Sequence, residues 1–257
     1  MERRNERQRL RSSAATLPLI RTLLALCVVG TFGCQSLRDP HVLRVGSDLA
    51  NPPFAFVDDA GEPLGKEPEM MRGLARELHM DLEWHRMEFA ELLDAIEAGE
   101  IDVACATMGI TAERARRVGF SNPYFETSIA VLVRHGASEP TSIDDLTHLR
   151  VAAARGTTSE FAVREVLPDA TWHFGAEKDG PVVERLLTSV IDAAVMDGPN
   201  AAALAKEHAS LWVLPEPLAA ERYAIAIDPT YRGLVERINL ALAQLRGRGE
   251  LPLVEAK

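Results

Sequence analysis

Two stretches of the chain place chemistry-bearing side chains where a ligand could meet them. In the first, the apolar run Ile101–Ala106 leads into Thr107-Met108-Gly109-Ile110-Thr111 and then Ala112-Glu113-Arg114. In the second, Arg150–Ala154 leads into Arg155-Gly156-Thr157-Thr158-Ser159 and a helical pattern. Each reads as a strand, a small-residue turn and a helix start. In an open α/β sheet ligands sit beyond the carboxyl ends of the strands. A helix N-terminus there offers unbonded N–H groups and a partial positive charge, which suits a carboxylate. Arg114 adds a planar fork able to grip a carboxylate with two bonds. Taken singly, each junction also fits an ordinary capped helix with a solvated arginine.

Other chemistries have no footing. There is no GxSxG elbow, no HExxH, no P-loop and no dinucleotide glycine fingerprint after a strand. Gly247-Arg248-Gly249 reads as the stop of a helix. The seven histidines form no close pair for a metal, and Cys27, Cys34 and Cys105 have no zinc spacing. No catalytic residue, metal or cofactor is expected. The formal charge of -10 is the opposite of what a nucleic-acid binder shows.

The elements that must carry these turns alternate. Val42–Gly46 is a strand, and a helix follows with Pro68 in its first turn and Met70, Met71, Leu74, Ala75 and Leu78 at helical spacing. Leu82–Trp84 is a weaker strand. Leu92, Leu93 and Ile96 mark a second helix that Gly99 can end in the left-handed conformation. Ile101–Ala106 is a strand, and Thr111 is a plausible N-cap for a third helix. Ser128–Arg134 is the longest apolar strand, after which the pattern restarts. It runs through strand 150–154, a helix from Ser159, strand 171–174, a helix over 181–189, strand 191–196, a helix over 199–208 and strand 211–214. A strand over Tyr223–Ile227 and a long helix with Leu234, Ile238, Leu242 and Leu245 close the chain. The order argues for an α/β fold of two halves with mostly parallel strands.

The N-terminus reads as an address. Residues 1–11 hold five arginines, and residues 22–33 run twelve positions without a charge. A basic segment followed by about 7–15 apolar residues is a secretory signal pattern, too short to span a bilayer. Gly33-Cys34 resembles the end of a bacterial lipobox, with cleavage before Cys34 and lipid on its sulfur; Thr31 and Phe32 depart from the usual residues. The alternative is an uncleaved anchor helix. Either places residues 35–257 outside the cytoplasmic membrane. Without residues 1–33 the chain carries 22 basic and 36 acidic residues, a net of -14.

Four stretches in order then carry a resemblance. LRVGSDLANPPFAF, IDVACATMGITAERARRVGFSNPYF, RVAAARGTTSE and IDAAVMD are similar to the family of extracytoplasmic amino-acid-binding proteins that deliver ligands to ABC importers. The likeness covers about residues 42–248. It implies a two-lobed periplasmic-binding-protein-like α/β fold, with two mostly parallel sheets flanked by helices and joined by crossing strands near 125–131 and 220–226. The implied division is a signal peptide over 1–33, a tether over 34–41, one lobe from 42–128 with 224–257, and the other from 129–223. Residue by residue, Arg114 matches the arginine for the ligand α-carboxylate. Thr107 and Gly109 match a turn giving backbone contacts, and Thr158 matches a second-lobe residue whose N–H completes the carboxylate site. Asp197 matches the acid for the α-ammonium. Asn51 and Phe89 match wall positions, and Asp48 matches a polar position facing the ligand side chain. A zwitterion needs a cationic clamp at one end and an anion at the other, each buried charge being paired.

The pattern also departs from the family. Gly109 stands where Ser or Thr is usual, Asn51 replaces a common aromatic, Lys66-Glu67 replaces a Phe-Asp pair, and the final tryptophan segment is missing. The implied partners are a small zwitterion, an inner-membrane ABC permease and, through the N-terminus, the membrane, for a monomeric protein. The alternative on the same scaffold is a cyclohexadienyl dehydratase-like enzyme, with Asp197 as a general acid and Arg114 holding a substrate carboxylate.

Overall fold

The computed structural model describes residues 38–136, 139–174 and 181–251. The expected signal segment, Cys34 and the first part of the tether lie outside the described residues, as do residues 252–257. No described helix is long and apolar enough to cross a membrane.

The first half opens with β1 (Val42–Ser47), the short strands β2 (Ala50–Asn51), β3 (Ala55–Val57) and β4 (Pro63–Leu64), then α1 (Lys66–Leu78) and β5 (Asp81–Arg86). It continues through α2 (Leu92–Glu97), β6 (Val103–Ala104) and β7 (Gly119–Phe120). The long β8 (Phe125–Arg134) leads into β9 (Arg150–Ala153), α3 (Thr158–Val166), β10 (Thr171–Phe174), α4 (Val182–Leu187), β11 (Ala193–Asp197), α5 (Gly198–Glu207) and β12 (Leu211–Val213). The chain returns through β13 (Ala219–Tyr223) to β14 (Ala226–Ile227) and ends in α6 (Leu234–Gly247).

Two large sheets result, one per lobe, beside a small antiparallel sheet β2-β3-β4. The first has the order β5-β1-β6-β14-β7; the second has β10-β9-β11-β8-β12, with β13 also on β8. Each is mixed rather than mostly parallel. Strands joined through helices, β1 with β5 and β6 and β9 with β10 and β11, pair in parallel. The crossing strand β8 and the return strand β14 run the other way and pair antiparallel with their neighbours. A right-handed strand–helix–strand unit gives parallel neighbours, whereas a strand arriving from the other lobe has no such constraint.

The cores follow the sequence periodicity. Met70, Met71, Leu74 and Leu78 of α1 share a buried cluster with Ile238, Leu242 and Leu245 of α6. Val131, Val133, Val151, Val163 and Val195 fill the second lobe. Gly46 in β1 is where the sheet meets Ile101 and Leu92: a Cβ there would lie 2.4 Å from Ile101 Cδ1 and 2.9 Å from Leu92 Cδ2. Gly99 has φ 72°, as its expected role after the second helix requires.

Three local expectations are corrected. The strand expected over Tyr223–Ile227 is broken: residues up to Tyr223 pair with β8, and Ala226–Ile227 pair with β6 and β7. The break is the crossing between lobes. The helix expected after Thr111 is a single 3-10 turn, Arg114–Arg116. Its N-cap is Glu113 rather than Thr111, but Thr111 Oγ1 accepts from the Arg114 N–H at 3.1 Å. The chain must then bury Val118 and enter β7 at Gly119, which leaves no room for further turns. That junction therefore has no helix dipole to offer. Finally, residues 38–41 are not loose tether. Arg38 pairs with Asp102 at 2.8 Å and with Asp228, and its guanidinium lies 4.6 Å from the Tyr231 ring centre.

Candidate ligand-binding site

One cavity of about 500 Å³ between the two lobes is lined by every site residue that the sequence indicated: Asp48, Asn51, Phe89, Thr107, Gly109, Arg114, Thr158 and Asp197. Glu88, Arg155, Ser159 and Asn200 also reach it.

The first-lobe turn is held by contacts from far along the chain. Thr107 has φ 46°, in the left-handed region that non-glycine residues rarely occupy. Its N–H donates to Glu67 Oε1 at 2.7 Å, and its Oγ1 accepts from Asn51 Nδ2 at 2.9 Å. Asn51 thus lines the wall as expected of its position, but it works as a polar brace on Thr107 rather than as an apolar face. Glu67 Oε1 also accepts from the Tyr124 hydroxyl, and Glu67 Oε2 has no hydrogen-bond partner.

Glu67 is fully buried, and desolvation pushes its carboxyl up to about 7; the Tyr124 and Thr107 bonds oppose that rise, while the charges of Asp48 and Asp197 add to it. Its folded-state affinity for a proton therefore exceeds that of the unfolded chain. Stability from this group is fully present below about pH 4.5 and is lost as pH rises through about 7. Glu67→Gln removes the titration but keeps an acceptor for Thr107. Relative to wild type, the variant should gain about 3 kcal/mol of stability between pH 4.5 and 8. Chemical unfolding of both proteins across that range checks it, and a constant difference would refute the assignment.

Arg114 is 5% exposed. One guanidinium nitrogen, Nη1, donates to Gly109 O at 2.7 Å within the first lobe, and Nη2 donates to Gly156 O at 3.0 Å in the second. The guanidinium carbon lies 5.2 Å from the Phe89 ring centre, so Phe89 meets the cation as well as the cavity. Burial lowers the Arg114 pKa, against the raising charges of Glu221, Asp197 and Glu113, and an arginine so placed stays charged.

Facing it is the start of α3. Thr157 is the N-cap, its Oγ1 accepting from the Glu160 N–H at 3.4 Å. Thr158 is the first helical residue, one position earlier than the sequence suggested. N–H groups in a first helical turn have no intrahelical acceptor, which leaves those of Thr158 and Ser159 for other partners. The Thr158 hydroxyl donates to Glu221.

Asp197 begins α5 but makes no side-chain cap bond. Its Oδ2 instead accepts from the Tyr223 hydroxyl at 2.7 Å. Burial raises its pKa, opposed by the Tyr223 bond and the Arg114 charge. Asp48 is raised mainly by burial, and its Oδ1 has no hydrogen-bond partner. The cavity therefore presents a cationic fork with helix N–H groups, together with carboxylates. Among the described residues no three His, Cys, Asp or Glu side chains are grouped to hold a metal ion.

Sequence reasoning missed Glu221 and Tyr223 and did not assign Glu67 a structural task. The signal for Glu221 was slight: in the fold Glu221 and Tyr223 alternate with exposed Ala220 and Arg222 along β13, but in the sequence only Tyr223 marks that face as buried.

Comparison with known proteins agrees with this architecture. The amino-acid-binding protein AabA of Dichelobacter nodosus is 28% identical over 249 residues, covering 94% of this chain and 98% of its own. The solved structure of an ancestral arginine-binding protein bound to glutamine has a TM-score of 0.74 and 31% identity, covering 83% of this chain and 96% of that one. A further structure is an ancestral amino acid-binding protein described as a precursor of cyclohexadienyl dehydratase. It has a TM-score of 0.73 and 31% identity, and covers 82% of this chain and 92% of that one. That precursor is thus itself a binding protein, and the enzyme reading is not favoured. The family profile for bacterial extracellular solute-binding proteins, family 3, matches residues 43–257, and the chain belongs to that family.

Proposed function

We propose that the protein captures an α-amino acid or a similar small zwitterion between its lobes and hands it to an ABC permease. The observation that carries this is the placement of Arg114 and Asp197 on one cavity, with Asp197 free of any capping task. The α-carboxylate lies between the Arg114 fork and the α3 N-terminus at Thr158. The α-ammonium lies against Asp197. Asp48, Asn51 and Phe89 shape the side-chain end, and Thr107 and Gly109 supply backbone contacts. One lobe comprises 42–128 with 224–257, and the other comprises 129–223. Contacts from both lobes to one ligand favour the closed state, which is what hinge closure requires. The protein works as a monomer.

A thermal-shift screen against the amino acids and related small carboxylates tests this. A ligand at about a hundred times its Kd stabilises by roughly 2.7 kcal/mol, an upward shift of about 5–10 °C for a protein of this size. No shift with any of them would overturn the reading.

The same reading tethers the protein to the membrane through lipid on Cys34. Cys34→Ser should abolish incorporation of a fatty-acid label that marks the wild type. Equal labelling of both, or labelling of neither, counts against the lipid.

A further inference from the structure

Gly109 stands where the family resemblance leads one to expect a hydroxyl, and its space is taken. A Cβ at 109 would lie 2.5 Å from Glu221 Oε1 and 2.6 Å from Thr158 Cγ2. Glu221 is 5% exposed. Its Oε1 accepts from the Thr158 hydroxyl, while Oε2 is buried with no hydrogen-bond partner. The return strand is fixed against the turn on both sides of this contact. Ile110 N–H donates to Arg222 O at 3.1 Å, and Ala224 N–H donates to Met108 O at 3.1 Å. These bonds fix the backbone that carries Glu221 beside Gly109.

The groups bearing on Glu221 are Asp197 of β11, Thr158 of α3 and Arg114 of the first-lobe turn. Desolvation first, then the charge of Asp197, pushes its carboxyl up to about 7, against the Thr158 bond and Arg114. A half-satisfied buried carboxyl that shares one cation, Arg114, with Asp197 is costly to ionise, and a second cation beside the two acids relieves that cost.

We propose that Glu221 is a specificity-determining residue of this cleft. Set behind Gly109 and held by Thr158, it adds a second carboxyl group to that of Asp197, one able to ionise against an incoming cation. The cleft then demands a full cation at that end of the ligand, a primary or secondary ammonium. It rejects deaminated and N-acylated analogues more strongly than Asp197 alone would. The inference rests on the reading of Asp197 as the ammonium partner.

The test is calorimetry on the full chain in detergent, with L-arginine and L-glutamine and their deaminated counterparts, 5-guanidinopentanoic acid and glutaramic acid. Glu221→Gln keeps the shape and the acceptor for Thr158. It should weaken the better-bound amino acid about tenfold and leave its deaminated counterpart within about twofold. Equal loss for both members of the pair would mark a purely structural role and overturn the inference, as would no change in either. A wild type that binds no amino acid in the thermal-shift screen overturns the ammonium reading itself, and the inference with it. A wild type that binds an amino acid with its selectivity unchanged in Glu221→Gln overturns the inference alone.

Discussion

Arg114→Ala should abolish detectable binding of any α-amino acid while the protein still folds. The guanidinium is buried and reaches both lobes, so its removal acts twice. It strips the partner from a carboxylate enclosed in a water-poor site, and it removes the Gly156 contact that joins first-lobe turn to second-lobe turn. Truncating one member of a buried, hydrogen-bonded charge pair costs about 2–5 kcal/mol, much of it the penalty left on the stranded charge. That is roughly 30-fold to several thousand-fold in Kd. Arg114→Lys separates the two contributions. It keeps the charge but offers a point cation in place of a fork, and should fall between wild type and Arg114→Ala. The fold should survive, because the 3-10 turn that carries Arg114 is held by Thr111 and by its own backbone bonds. Calorimetry with the amino acid that gives the largest thermal shift is the measurement. An Arg114→Ala protein binding within about threefold of wild type would remove Arg114 from the site.

The contrast between Arg114 and Glu221 shows which parts of this site the sequence discloses. Arg114, Thr107, Gly109 and Thr158 sit in short local patterns, where a strand, a small-residue turn and a cap occur within a dozen residues. Local patterns of that kind are written in consecutive residues. Glu221 meets Thr158 across 63 positions of chain and Gly109 across more than a hundred, and no local spacing encodes either contact. Glu67 is similar: its hydrogen bond to Thr107 spans 40 residues, and composition alone shows only a glutamate near a helix start. The strand expected over Tyr223–Ile227 leaves out Ala219–Arg222, so the face that carries Glu221 was not read. Tyr223-Ala224-Ile225-Ala226-Ile227 is uniformly apolar and carries no mark of the point where one sheet hands over to the next. The helix expected after Thr111 failed for a comparable reason. The Thr111 hydroxyl does meet the turn, but the length of the turn was decided by the need to bring Gly119 beside Ile227, a tertiary demand. Long periodic elements such as α1 and α6 were legible throughout, because their buried faces repeat every three to four residues regardless of what lies opposite.

At the other end of the ligand, Asp197→Asn should weaken the amino acid by about 2–5 kcal/mol and its deaminated counterpart far less. The substitution keeps size and an acceptor for the Tyr223 hydroxyl, so the bond at 2.7 Å can persist in neutral form. What disappears is the charge. An α-ammonium enclosed without an anion must then shed its proton or forgo the cavity, and either costs affinity. The deaminated ligand brings no cation and keeps its Arg114 contact. A capping role would predict otherwise, since asparagine caps a helix about as well as aspartate and neither affinity would move. The absence of any side-chain bond from Asp197 to the first turn of α5 argues against that role. A general-acid role would predict unchanged affinity and lost turnover on prephenate. Measuring both affinities, with prephenate turnover alongside, in wild type and Asp197→Asn therefore separates the three. Equal amino-acid affinities in the two proteins would rule out the ammonium contact. The cavity would then hold a carboxylate site at Arg114 and no partner for the other half of a zwitterion.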